Sequence, residues 1–170
     1  AGTPLRMVET VVAVIDQRKR AMARKVIKAC GGSVRGKTVA LLGLTFKPNT
    51  DDMRDAPSLA IVAGLQDAGA KVRAYDPDGM EQARILMPAV DYAENAYACA
   101  EGADALVIVT EWNAFRALDL DRLRQIMSSD GSAPVLIDLR NIYDPASAAR
   151  HGFTYCGVGR TKESVARNGS

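Results

Sequence analysis

The chain has 170 residues, of which 48% are hydrophobic and 25% charged. This composition excludes a disordered chain and is typical of one globular domain with a small additional element. The formal net charge is +2, but residues 1–40 contain nine basic and two acidic residues, against 13 and 18 in the remainder. No apolar run reaches the roughly 18 residues of a membrane span, and the first residues lack the layout of a secretory signal.

The three cysteines are Cys30, Cys99 and Cys156, and the only histidine is His151. They form no CxxC motif, and their number and spacing favour neither a disulfide framework nor a metal site. No cysteine has a base beside it in sequence, so no nucleophile can be nominated. We expect buried, reduced thiols and a cytoplasmic protein without a metal ion.

The segment before Gly31 has the pattern of one long helix. Its apolar residues follow the spacing of a helical stripe: Val8, Val11, Val12, Ile15, Met22 and Val26. A basic helix of this kind could bind nucleic acid or an anionic membrane, but no aromatic residues are interleaved with its charges. We therefore expect neither partner, and expect the stripe to pack against another domain or subunit.

From residue 37 the pattern alternates between strands and helices. Apolar runs predict strands at 38–44, 72–75, 105–110, 135–139 and 153–158. Periodic segments between them predict helices at 57–68, 80–86, 94–100, 120–127 and 145–151. The fold class is therefore α/β, a Rossmann-like, doubly wound and mostly parallel sheet preceded by a long α-helix.

In such folds ligands bind beyond the carboxyl ends of the strands. The loop after the first strand, 45–58, is long and contains neither a dinucleotide glycine fingerprint nor a P-loop. It does contain Lys47 and Arg54, which suit a phosphate or carboxylate ligand. Neutralisation of Asp51, Asp52 and Asp55 at the surface is an equally good interpretation of these two cations.

Three further loops begin at carboxyl ends of predicted strands. Asp76 stands where Rossmann folds hold an acidic ribose ligand, but a capping role in its turn is the better interpretation. Trp112 could line a pocket, although tryptophan more often packs in a core. Arg140 is a third candidate for binding an anion or a ribose.

The first of these loops carries a family resemblance. Residues 43–58, GLTFKPNTDDMRDAPS, closely resemble the signature loop of the UDP-binding domain in UDP-glucose 6-dehydrogenases. Weaker matches follow in the family's order, namely YDP at 75–77, TEW at 110–112, DLRNIY at 138–143 and YCGVGR at 155–160. The DQRKR at 16–20 is similar to the end of the family's central helix.

The resemblance implies an NAD-dependent oxidation of UDP-glucose to UDP-glucuronate. By position, Phe46, Lys47 and Arg140 would contact the UDP-sugar, and Arg54 would reach NAD. The resemblance also implies that the NAD-binding domain and the catalytic cysteine lie outside this sequence, so no catalytic residue is expected here and the chain would be inactive alone. The implied organisation is a dimerisation helix and linker at 1–36, a UDP-sugar-binding domain at 37–160 and a flexible tail at 161–170.

Two alternatives remain open at this point. The chain could be the equivalent domain of a dehydrogenase acting on another UDP-hexose or on GDP-mannose. It could also be a non-catalytic nucleotide-binding or dimerisation module. A homodimer through the N-terminal helix is expected in the leading interpretation.

Overall fold

The computed structural model describes residues 20–128 and 133–158. Within these ranges the helices are α1 (20–29), α2 (Pro57–Asp67), α3 (Met80–Leu86), α4 (Ala96–Ala100), α5 (Asn113–Arg116), α6 (Leu120–Ile126) and α7 (Pro145–Arg150). The strands are β1 (Thr38–Leu42), β2 (Lys71–Tyr75), β3 (Asp91–Tyr92), β4 (Ala105–Ile108), β5 (Val135–Asp138) and β6 (Thr154–Gly157).

The six strands form one sheet in the order β3-β2-β1-β4-β5-β6, and all neighbouring strands pair in parallel. This is the strand order of a doubly wound Rossmann fold, so the predicted fold class is confirmed. The sequence pattern predicts only five strands, because β3 has two residues and contributes no apolar run. It also missed α5, a helix of four residues.

Two apolar layers enclose the sheet, because side chains of a strand alternate between its faces. Val39 and Leu41 face a core shared with α1, α2 and α3, while Ala40 and Leu42 face a core shared with α4, α6 and α7. Right-handed crossovers place the helices of the two halves of such a sheet on opposite faces. The α1 residues Val26 and Ala29 share the first of these cores with Val107 of β4 and Ile137 of β5.

The described part of α1 is an integral part of this core. Val26 is fully buried, and a Cβ added to Gly64 of α2 would lie 2.6 Å from the Cβ of Ala23, so the two helices pack closely. Met22, predicted in the buried stripe, is 37% exposed, because Ala23 takes the position that faces α2. The helix ends at two glycines with positive φ, as predicted. Its predicted beginning in 1–19 and the predicted tail at 161–170 lie outside the described residues.

Candidate functional site

The carboxyl ends of the five longer strands meet at one level. The register pairs Leu42 with both Tyr75 and Ile108, and Ile108 with Asp138, so the following loops all start at the same edge. Chain connections run in opposite directions from β1 and β4, which makes the space between their loops the topological switch point. In open parallel sheets this crevice is where ligands bind.

Asp76, at the end of β2, organises this edge from within. Its buried carboxylate accepts hydrogen bonds from the amides of Leu44 and Thr45 at 2.8 and 3.2 Å and from Nε1 of Trp112 at 3.2 Å. It also accepts from the amide of Gly79 at 2.8 Å. The capping interpretation is therefore confirmed, and the carboxylate, fully buried and used by the protein, is no ribose ligand.

A second contact holds the loops after β1 and β4 together. The buried hydroxyl of Thr110 donates to the carbonyl oxygen of Thr45 at 2.8 Å. Gly43 packs against Thr110 and has a φ of +97°. A Cβ added to Gly43 would lie 2.6 Å from both the Cβ and the amide nitrogen of Thr110. Only glycine fits this position, so the two loops approach each other closely at the switch point.

The long loop after β1, residues 43–56, is folded back on itself. The amide of Phe46 donates to the carbonyl oxygen of Asp52 at 2.9 Å, and Met53 is buried beneath the loop. The loop thereby presents Phe46, which is 47% exposed, and Lys47, which is also exposed, at its outer turn.

Arg54 forms an ion pair within this loop. Its Nε and Nη2 atoms lie 3.0 and 3.2 Å from the two carboxylate oxygens of Asp52. Hydrogen bonds from Arg54, with smaller contributions from the charges of Arg54 and Lys47, lower the pKa of the Asp52 carboxyl. In this structure Arg54 therefore neutralises a surface carboxylate, one of the two roles that the sequence left open. Its side chain is nevertheless 89% exposed and accessible to a ligand.

Arg140 crosses the edge from the loop after β5 to both other loops. Its Nε atom donates to the carbonyl oxygen of Val109 at 3.0 Å, and its Nη2 atom donates to that of Phe46 at 3.4 Å. Its Nε atom also lies 2.9 Å from a carboxylate oxygen of Glu111. The sequence prediction that Arg140 faces the same rim as Lys47 is therefore confirmed.

The backbone that carries Arg140 is fixed by a buried carboxylate. Asp138 accepts hydrogen bonds from the amides of Arg140 and Tyr143 at 3.2 and 2.9 Å and from the hydroxyl of Tyr155 at 2.8 Å. Tyr143 in turn donates its hydroxyl to the carbonyl oxygen of Phe115. Sequence reasoning missed these roles, since a polar residue in an apolar strand gives no sign of its partners.

Other features lie away from this edge. A cavity of about 240 Å³ opens at the opposite, amino edge, between Lys37 and Thr154. Cys30 and Cys99 are buried and Cys156 half-buried, all reduced. Burial raises the pKa of the Cys99 thiol to about 12, which makes it a poor nucleophile at neutral pH. None of the helices in 20–128 and 133–158 is long and apolar enough to span a membrane.

The comparison with protein families decides the family to which this chain belongs. Residues 40–145 match the UDP binding domain of the UDP-glucose/GDP-mannose dehydrogenase family. This chain belongs to that family. The matched range includes the loops after β1, β4 and β5, and thus all four residues that the resemblance had singled out.

Curated members of this family are similar to the chain in sequence. The chain is 61% identical over 158 residues to UDP-glucose 6-dehydrogenase of Rhizobium meliloti (strain 1021), which covers 93% of this chain and 35% of the relative. It is 46% identical over 137 residues to the enzyme of that name from Pseudomonas aeruginosa, which covers 77% of this chain and 29% of the relative. The chain therefore spans about a third of the length of the curated relatives it matches.

Solved structures of nucleotide-sugar dehydrogenases are similar to the chain in fold. The chain superposes on a UDP-glucose dehydrogenase from Pyrobaculum islandicum with a TM-score of 0.70 and 28% identity, covering 94% of this chain and 34% of that one. An NDP-N-acetyl-D-galactosaminuronic acid dehydrogenase from Methanosarcina mazei Go1 gives a TM-score of 0.69 and 29% identity, with 85% and 29% covered.

Proposed function

We propose that this chain is the UDP-sugar-binding part of an NAD-dependent UDP-glucose 6-dehydrogenase. The reaction oxidises UDP-glucose to UDP-glucuronate, with water as the oxygen donor and two NAD reduced to two NADH. The observation that carries the proposal is the side chain of Arg140, which joins the loops after β1 and β4 beside the exposed Phe46 and Lys47. The 61% identity to a UDP-glucose 6-dehydrogenase supports the choice of substrate.

Each of the three residues has a role that suits its chemistry. The diphosphate of a UDP-sugar is anionic, and Lys47 offers it a point charge while Arg140 offers a planar fork of N–H groups. Phe46 offers an exposed aromatic surface to the less polar parts of the ligand. None of these residues transfers a hydride or acts as a nucleophile, so their part in the reaction is to bind and orient the substrate.

NAD does not fit this chain in the way a Rossmann domain holds it. The loop after β1 lacks the glycine fingerprint, and the carboxylate of Asp76, at the ribose position, is buried against the chain's own amides. We therefore assign the main NAD contacts to residues outside this chain. Arg54, on the exposed outer loop, is proposed to reach the cofactor across the cleft.

Calorimetry with UDP tests the substrate assignment. Lys47→Ala and Arg140→Ala are each expected to weaken UDP binding roughly tenfold or more, because a hydrogen bond to a charged group contributes about 1.5–3 kcal/mol. Lys71→Ala is the matched control, since it removes an exposed lysine at the amino edge of the sheet. Equal affinities in all four proteins would refute the assignment.

Nucleotide preference separates the proposed substrate from the nearest alternative. The family name covers UDP-glucose and GDP-mannose dehydrogenases, and both diphosphates could engage Lys47 and Arg140. We expect the chain to bind UDP more tightly than GDP. Tighter binding of GDP would reassign the substrate while leaving the diphosphate site in place.

Two further properties belong to the same proposal. We propose a homodimer in the cytoplasm, formed through the N-terminal helix. The groove of about 560 Å³ between α1 and α2, flanked by Arg24 and Asp67, leaves part of this helix accessible to a second copy. Sedimentation across the micromolar range should give a dimer, and a monomer throughout would count against it.

A further inference from the structure

Arg140 is held by two kinds of contact on the β4 side of the crevice. The carbonyl oxygen of Val109 accepts its Nε–H group at 3.0 Å. The carboxylate of Glu111 lies 2.9 Å from the same nitrogen and supplies the opposite charge. The Arg140 side chain is 36% exposed, so the part that is not held remains accessible.

Glu111 is placed in an unusual way for a surface carboxylate. Its Oε2 atom is buried and, among the described residues, accepts no well-aligned hydrogen bond, although the side chain as a whole is 30% exposed. A buried carboxylate oxygen is unfavourable unless a cation compensates it. Arg140 provides that cation, so the position of each charged group depends on the other.

We propose that Glu111 is a positioning residue for the anion site, an inference that rests on the proposed function. The ion pair holds the Arg140 Nε atom against β4. Among the described residues, the two N–H groups of Nη1 and the second N–H of Nη2 have no assigned acceptor. These groups can donate to the diphosphate of the ligand at the switch point between the loops after β1 and β4.

If Glu111 acted only through its charge, or only by positioning Arg140, its removal would change the affinity for UDP in opposite directions. Loss of a negative charge beside an anion site raises anion affinity by Coulomb attraction alone. Loss of the group that orients Arg140 lowers it, because a mobile guanidinium must be ordered again on binding. A fall in UDP affinity in Glu111→Ala would therefore be the signature of positioning.

A double-mutant cycle on the full 170-residue chain tests this directly by calorimetry with UDP. Glu111→Ala should weaken UDP binding roughly fivefold in the Arg140 background and change it less than twofold in the Arg140→Ala background. Glu111→Asp, which keeps the negative charge that compensates Arg140, should lose less affinity for UDP than Glu111→Ala. Glu94→Ala, which removes an exposed carboxylate elsewhere, is the control for net charge.

A side-chain NMR measurement gives a readout that does not depend on UDP. The Arg140 Nε–H resonance, identified by its loss in Arg140→Lys, should be protected from solvent exchange in the unsubstituted chain and partly in Glu111→Asp. It should lose that protection in Glu111→Ala.

The outcomes separate the two proposals. Unchanged or tighter UDP binding by Glu111→Ala, an equal loss in both backgrounds, or persistent protection of the Arg140 resonance would overturn the positioning role. If the unsubstituted chain binds no UDP, the proposed function fails, and the NMR result alone decides whether Glu111 holds Arg140.

Discussion

Trp112 donates its indole N–H group to the carboxylate of Asp76 across 3.2 Å, which ties the loop after β4 to the end of β2. The same carboxylate also holds the backbone of the loop after β1 through the amides of Leu44 and Thr45. One buried side chain thus fixes the relative positions of three elements around the switch point. The loop that carries Phe46 depends on this carboxylate, and so does the loop after β4, which carries Glu111, the ion-pair partner of Arg140.

Asp76→Asn should unfold at a distinctly lower urea concentration than the unsubstituted chain. Asparagine presents one oxygen in place of two, so at least two donors, among them the buried amide of Gly79 or those of Leu44 and Thr45, would face an NH₂ group. We expect a loss of about 3 kcal/mol in the free energy of unfolding. Trp112, the only tryptophan, reports the transition by fluorescence. Asp78→Asn, at an exposed carboxylate two residues away, should change stability by less than about 0.5 kcal/mol, and equal losses would contradict this account.

Gly64→Ala should loosen α1 although it raises helix propensity. The added methyl group would lie 2.6 Å from the Cβ of Ala23, and the propensity gain of about 1 kcal/mol does not offset such a clash. Amide hydrogen exchange in 20–29 should accelerate by roughly tenfold.

The double variant Ala23→Gly with Gly64→Ala moves the methyl group from one helix to the other. It should restore much of the protection that Gly64→Ala loses. If the single and double variants exchange equally fast, close packing of α1 on α2 is not what holds this helix.

The ion pair between Asp52 and Arg54 should be visible in an acid titration. Arg54 lowers the pKa of Asp52 below its ordinary value of 3.8. The pair therefore contributes to the free energy of unfolding at pH values above 3.8. This contribution is lost as the pH falls through the lowered pKa.

Arg54→Met should raise the pKa of Asp52, measured from its ¹³C-carboxyl shift, towards the ordinary value. Arg150→Met, at an exposed arginine on α7, is the control and should leave the Asp52 titration unchanged. A titration of Asp52 that is the same in all three proteins would exclude the ion pair in solution.

Much of the fold could be predicted, because buried parallel strands are continuous apolar runs and helices have their own period. The helix α3 begins and ends at the predicted residues, Met80 and Leu86. The two-residue strand β3 could not be found in this way, because its pairing with β2 is decided by the neighbouring strand and not by its own side chains.

The candidate site was only partly predictable. The strand ends correctly indicated that Lys47 and Arg140 share an edge, since topology alone brings them there. The contact between Arg140 and Glu111 depends on side-chain directions across two loops, which no spacing encodes. The pairing of Arg54 with Asp52 was one of two open interpretations, because the sequence places three carboxylates within reach of that arginine.

Amide chemical-shift mapping with UDP tests the central claim most directly, namely that the nucleotide binds at the carboxyl edge of the sheet. A ¹⁵N-labelled sample titrated with UDP should show its largest saturable shifts at the amides of Phe46, Val109 and Arg140. The amides of Lys37 and Val135, beside the cavity at the amino edge, should remain unchanged. Largest shifts at that amino edge, or no saturable shift at Phe46 and Arg140, would contradict the assignment.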